Sequence, residues 1–220
     1  MYTIVDVENN RYNVIKIGDL YWTVENLKTT KFNDGTDIEL ITGNREWKDA
    51  GVNNMPAYCY YGNDLNYKEK YGALYNFHAV NTGKLAPEGW RVPTDDDWTK
   101  LESYLISSGY NWDGSTSGNK IAKSMATNTD WEVVNYEGSI GNDLTQNNKS
   151  GFSALPGGYR DCGYFYDIGY YGYWWSATEY NVPLAYDRCL SYDYGALLYR
   201  YGKRYDSKGC GFSVRMVRDV

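Results

Sequence analysis

In the C-terminal segment glycine recurs every few residues between Gly157 and Gly172 and again between Gly195 and Gly211, and this spacing limits the possible fold more than any other feature of the chain. A glycine inside a helix costs about 1 kcal/mol relative to alanine, so the segment cannot sustain a helix of several turns. It is expected to run as short strands joined by tight turns. Upstream the pattern differs. TIVDVENNRYNVIKIG alternates apolar and polar residues on either side of the polar ENNR, which predicts an opening hairpin leading into LYWTVENL. Ala73, Leu74, Phe77 and Val80 fall at helical spacing and predict a helix over about 71–80. PTDDDWTKLESYLISSG predicts a second helix over 95–107. Thr94 is its cap, Asp95, Asp96 and Asp97 complement the helix dipole, Trp98, Leu101 and Leu105 form the inward stripe, and Gly109 is the stop. A weaker third helix is expected in KIAKSMA. Strands, then helices, then many short strands make an α+β pattern, with no βαβ alternation.

Charge and length exclude several function classes. The 220 residues suit one domain spanning 1–220. A net charge of -6 leaves no basic face for phosphate neutralisation, so no nucleic-acid partner is expected. No run approaches the roughly 18 apolar residues of a membrane span, and MYTIVDVENN lacks the regions of a signal peptide, so neither membrane insertion nor a leader is expected in the chain as given. Cys59, Cys162, Cys189 and Cys210 show neither CxxC spacing nor a repeating pattern, so free thiols are expected, without a zinc site. The single histidine, His78, lies among Phe77, Ala79 and Val80 and reads as a satisfied half-buried residue, not a base, since no serine or cysteine elbow accompanies it. Successive aspartates at 95–97 point in different directions and cannot share one ion. No phosphate cradle occurs. The expectation is a protein that binds and does not catalyse, with no cofactor and no metal.

Tyrosine marks where it would bind. Of 25 tyrosines, 13 fall between residues 159 and 205. Tyrosine combines large contact area, a hydroxyl that donates or accepts, and two torsions to freeze, which is why it dominates antibody paratopes. Its neighbours here are Asp, Asn, Ser and Gly instead of Val, Ile and Leu, which favours an exposed face over a tyrosine-rich core; Tyr159 and Tyr173 are the expected exceptions. The candidate ligand-binding residues are Tyr164, Tyr166, Tyr170, Tyr171, Tyr180, Asn181, Tyr186, Asp187, Ser191, Tyr192, Asp193, Tyr194, Tyr199, Tyr201, Tyr205 and Asp206. Residues 1–158 are then scaffold, and 159–210 the ligand-binding region, which the second resemblance given below implies to be variable.

The segments between the tyrosines resemble a known pattern. GWRVPTDDDWTKLESYL, GFSALPGGYRD, GYWWSATE and GFSVRMVRD are similar to the Fibrobacter succinogenes major paralogous domain family, and YWTVENLKTTKFNDGT and YGALYNFHAVNTGKLAPEGW match its N-terminal half. The resemblance implies a C-type lectin-like fold related to the formylglycine-generating enzyme domain. Its N- and C-terminal strands would pair, and two helices would flank a mostly antiparallel core. The chain also resembles the variable proteins of diversity-generating retroelements, in which AAC codons become NNC codons that never encode Lys, Glu, Gln, Met or Trp. Between Tyr159 and Cys210 those types occur only as Trp174, Trp175, Glu179, Lys203 and Lys208. The first three lie in GYWWSATE, and the lysines bracket the last loop.

This second resemblance implies a rigid framework of Trp174, Trp175, Ser176, Glu179, Ala185, Arg188, Leu190, Phe212, Val214 and Arg215 carrying variable side chains toward a protein or glycan on a cell surface. It places the molecule on a phage virion or a bacterial surface. The alternatives are a fixed-specificity surface lipoprotein or adhesin and, more remotely, a formylglycine-generating-like enzyme using Cys189 and Cys210. Neither Glu-Pro-Asn, Gln-Pro-Asp nor Trp-Asn-Asp occurs, so calcium-dependent sugar binding is not implied.

Overall fold

Alternation builds the first sheet. In the computed structural model, which describes residues 2–193 and 206–220 and the backbone of 199–200, β1 (Tyr2–Val5) and β2 (Arg11–Ile17) form the opening hairpin. Tyr12 and Val14 share the inward face of β2, and Ile17 at its end is also buried. β2 turns through Gly18 and Asp19 into β3 (Leu20–Thr23), with Ile17 opposite Leu20, and Gly18 supplies the positive φ of 62° that a two-residue hairpin loop requires.

Downstream, β4 (Glu39–Leu40) leads into α1 (Asn44–Val52), which is followed by β5 (Ala57–Cys59). The helix expected over 71–80 is broken. α2 (Lys68–Tyr71) stops at Gly72, β6 (Leu74–Tyr75) intervenes, and α3 (Phe77–Asn81) restarts under an Asn76 cap. Gly72 has φ of 76°, and a Cβ there would lie 2.6 Å from the Leu27 carbonyl, so backbone crowding overrides the helical spacing. The helix expected over 95–107 forms as α4 (Asp95–Ser107). Thr94 and Asp97 make a reciprocal capping box, and at the other end Tyr110 N–H reaches Leu105 O while Gly109 N–H reaches Ile106 O, closing a Schellman motif. Trp98 of α4 packs at a tilt on Trp22 (4.9 Å between centroids) and edge-on to Phe152 (5.9 Å). α5 (Ala122–Met125) is the short third helix.

The C-terminal half departs from the expectation of short strands. β7 (Gly157–Asp161), β8 (Tyr164–Ile168), β9 (Tyr171–Asn181) and β10 (Leu184–Ser191) are followed by the short β11 (Tyr199–Arg200), β12 (Asp206–Ser207) and β13 (Val217–Asp219). β9 runs for 11 residues through Gly172, because that glycine marks a close approach and not a break: a Cβ would sit 2.3 Å from the Trp174 ring and 2.6 Å from the Leu155 carbonyl. Three sheets result, in the orders β1-β2-β3-β13, β11-β10-β9-β7-β8 (with β12 on β10) and β4-β5-β6. β13 pairs with β3, so the two ends of the chain meet, and the β4–β5 and β7–β9 pairings are parallel. The architecture is α+β.

Two large apolar clusters support these layers. Phe77, Trp175, Phe212 and Val214 belong to one, and Trp22, Trp98, Phe152 and Trp174 to the other. Each burial of such a side chain contributes about 2–3 kcal/mol. No helix among the described residues is long and apolar enough to cross a membrane.

Candidate ligand-binding face

The face begins at the β7–β8 hairpin. Tyr159 opposes Tyr166, Arg160 opposes Phe165 and Asp161 opposes Tyr164, with Cys162 and Gly163 as the two-residue turn at positive φ. Side chains alternate across a strand, so Arg160 and Phe165 turn to one side and the tyrosines to the other. On the inner side the Arg160 guanidinium is fully buried. It stacks on Trp47 and Phe165 and donates to the carbonyls of Ile41 (2.6 Å), Thr42 (2.8 Å), Gly43 (3.1 Å) and Gly163 (3.1 Å).

On the outer side the rings form a continuous strip. Tyr166 lies 5.3 Å from Tyr159, which lies 4.8 Å from Tyr173; the strip then turns along β9 to Tyr171 (6.0 Å), Tyr192 (6.4 Å) and Tyr170 (5.1 Å). Tyr173 stacks on buried Phe212 at 5.1 Å, and Phe212 on Trp175 at 4.4 Å, so the strip rests on the core. Tyr180 and Tyr186 make a separate edge-on pair at 5.4 Å near the β9–β10 loop, where Asn181 is exposed and Val182 is 89% exposed.

Tyr164, Tyr166, Tyr170 and Tyr180 are exposed; Tyr171, Tyr186, Tyr192, Asp193 and Asp206 are half-buried. Tyr159 and Tyr173 are also half-buried and pack against the core. Burial pushes the Tyr159 phenol far above its ordinary value. Tyr194, Tyr201 and Tyr205 lie outside the described residues, as does the side chain of Tyr199.

Asp187 and Ser191 are corrections. Both are buried on β10, which is covered on both faces from Asp187 onward, so neither reaches a ligand from the surface. The exposed-face reading counted their polarity and missed that both faces of this part of the strand are covered. Asp187 is fully buried, and among the described residues no donor is placed on either of its oxygens. Burial, and then the neighbouring Asp206 carboxylate, hold its carboxyl well above the usual range. Cys189 and Cys210 lie close by and are buried; burial pushes both thiols up. Cys59 is likewise buried and its thiol is pushed up to about 12. All four cysteines are free, and only Cys162 is exposed.

The framework residues fall inside as expected, apart from Glu179, which is exposed and bridges to Lys208 at 2.9 Å. Arg188 meets Asp95 and Glu102 on α4, each at 2.8 Å, and so ties β10 to the helix. Arg215 is fully buried and donates to the carbonyls of Thr23 (2.7 Å), Val24, Phe152 (3.1 Å) and Ser153 (2.9 Å) and to Asn26 Oδ1 (2.8 Å); burial lowers its pKa to about 9. His78 is half-buried with Nε2 3.0 Å from the Gly51 carbonyl, and burial lowers its pKa. Among the described residues no group of three His, Cys, Asp or Glu side chains is placed to hold a metal ion.

Sequence reasoning missed the buried cations Arg160 and Lys123. Lys123 lies in a cage of the Ser139, Asn142 and Asp143 carbonyls and Asn147 Oδ1. Backbone acceptors leave no signature in a sequence.

No curated protein and no solved structure matches the chain. A family model does, the Fibrobacter succinogenes major domain, over residues 15–218. With all but its edges covered by that match, the chain belongs to the Fibrobacter succinogenes major domain family.

Proposed function

We propose that this protein is a non-catalytic binding protein whose ligand, a protein or glycan on a cell surface, docks on the tyrosine face of β7 to β10. We read the scaffold as C-type lectin-like and the molecule as the variable protein of a diversity-generating retroelement, displayed on a virion or a bacterial surface. One observation supports this most. Exposed Tyr164 and Tyr166 on β8, Tyr180 on β9 and Tyr170 in the turn between these strands belong to a sheet in which Arg160, Trp174, Trp175 and Arg188 are fully buried. A mobile recognition side chain loses entropy on binding, whereas tyrosines packed edge to edge on a fixed sheet have lost much of theirs beforehand. Tyrosine is also the residue that repeated use of one codon class would place at many positions.

A second reading is a surface adhesin of fixed specificity, and a separate observation favours it at some positions. Asp187, Cys189, Ser191 and Cys210 are all NNC-compatible yet buried. Free variation there would place bulky or charged groups in a close-packed interior, at about 1–3 kcal/mol or more each.

The DNA following the gene separates the two. A near-copy of its 3′ end that differs at adenines, beside a reverse-transcriptase gene, supports diversification and names each variable position. Absence of both overturns that part and leaves a fixed binding face, whose ligand is then sought on glycan and protein arrays.

A further inference from the structure

A groove of about 550 Å³ separates β4 from α1, apart from the tyrosine strip. Its apolar surface includes Leu40 and Met55, each nearly half exposed, above buried Ile41 and Ala50. Its charged residues are Glu39, Glu46 and Asp49, and no cation lines it among the described residues. Among the described residues neither Glu39 nor Glu46 has an ion-pair partner, and Asp49 has only Arg45, at 3.7 Å and 90% exposed. Elsewhere on the surface acids commonly have partners: Asp34 with Lys84, Asp96 with Lys100, and Asp113 with Lys120.

The walls are fixed. Residues 41–43 form one side, and their three carbonyls are the ones gripped by Arg160. Gly43 lies so close to the Glu46 carboxylate that a Cβ there would overlap it at 1.9 Å, so the acid is folded back over the start of α1. β4 is the edge strand of its sheet, and an extended chain can lie beside such an edge. A preformed apolar trough with one sign of charge along it selects a ligand of opposite charge and apolar body.

We propose that this groove binds an extended basic peptide segment of a partner protein. An apolar side chain of that segment rests on Leu40 and Met55, and flanking Lys or Arg side chains meet Glu39, Glu46 and Asp49. This site is independent of the tyrosine face.

The test uses the full chain and a fluorescein-labelled short peptide of alternating lysine and leucine, followed by fluorescence anisotropy at low and high salt. Binding is expected to saturate and to weaken with salt. A Glu39→Gln/Glu46→Gln double variant should bind about tenfold more weakly, equivalent to about 1.4 kcal/mol, while the exposed control Glu88→Gln should bind as the parent does. Amide chemical shifts in 15N-labelled protein should move at residues 39–55.

Four outcomes would overturn the proposal. The double variant binds unchanged, a glutamate-leucine peptide binds equally well, or the shifts lie elsewhere. The fourth is that spermine competes as strongly as the peptide, which would make the groove a small-amine site. Circular dichroism melting of the double variant shows that any loss is not unfolding.

Discussion

Trp174 donates its indole N–H to Asn26 Oδ1 at 2.9 Å, and the same oxygen accepts from Arg215 Nε at 2.8 Å. Asn26 Nδ2 donates in turn to the Tyr71 carbonyl at 2.8 Å, so one buried amide couples β9, the C-terminal segment and the end of α2. Asn26→Leu preserves the volume and strands two donors and a carbonyl. It should lower stability by about 3 kcal/mol, read as the denaturation midpoint at unchanged m-value. Trp174→Ala should cost about 3–5 kcal/mol. A change under about 1 kcal/mol in either would mean that the amide is not shared in solution.

The exposed tyrosines should behave in the opposite way. Alanine at Tyr164, Tyr166, Tyr170 or Tyr180 is expected to shift stability by no more than about 0.5 kcal/mol each, while removing any binding found on the face. Tyr159→Ala breaks contacts to Tyr166, Tyr173 and Phe212 and should cost about 2–4 kcal/mol. Thermal melts of the five variants give the ordering. Destabilisation by Tyr164→Ala comparable to that by Tyr159→Ala would place the outer ring in the core.

The buried carboxyl of Asp187 sets a pH dependence. Its folded pKa lies above the ordinary aspartate value of about 3.8, so over that interval the folded state holds a proton that the unfolded state releases. The stability associated with that proton is present below about 3.8 and is lost as pH rises from there toward the folded value. Asp187→Asn removes this loss. Its melting temperature relative to the parent should rise steadily from pH 4 to pH 8, and a pH-independent difference would show that Asp187 is ionised in the fold.

Thiol chemistry should resolve the cysteines. Cys162 is exposed at a hairpin turn, and the other three are buried with thiols held above their ordinary range. With an aromatic disulfide reagent, one thiol should titrate in the native protein and the rest only with unfolding. Loss of the native signal in Cys162→Ser identifies it. A second fast thiol would mean that the Cys189 or Cys210 site opens readily.

Legibility in the sequence followed the reach of the interactions concerned. α4 was readable because its cap, first-turn acids, inward stripe and C-terminal glycine are all local. The opening hairpin was readable for the same reason. Residues 68–81 were not, since a carbonyl of distant Leu27 crowds Gly72 and breaks the helical spacing. Gly172 looked like punctuation and is a contact surface for Trp174. At the site, Tyr164 and Tyr166 were found from composition alone, but Asp187 and Ser191 were misplaced because the cover over β10 comes from segments remote in the chain.

The carbonyl cradles of Arg160 and Arg215 have a consequence for how this family can change. Nearly all the acceptors around these guanidinium groups are main-chain oxygens, which every amino acid supplies alike. Segments 41–43, 23–24 and 152–153 are therefore gripped by a feature that substitution of their own side chains does not remove. Two arginine codons carry the constraint, and the residues they clasp are left open to drift.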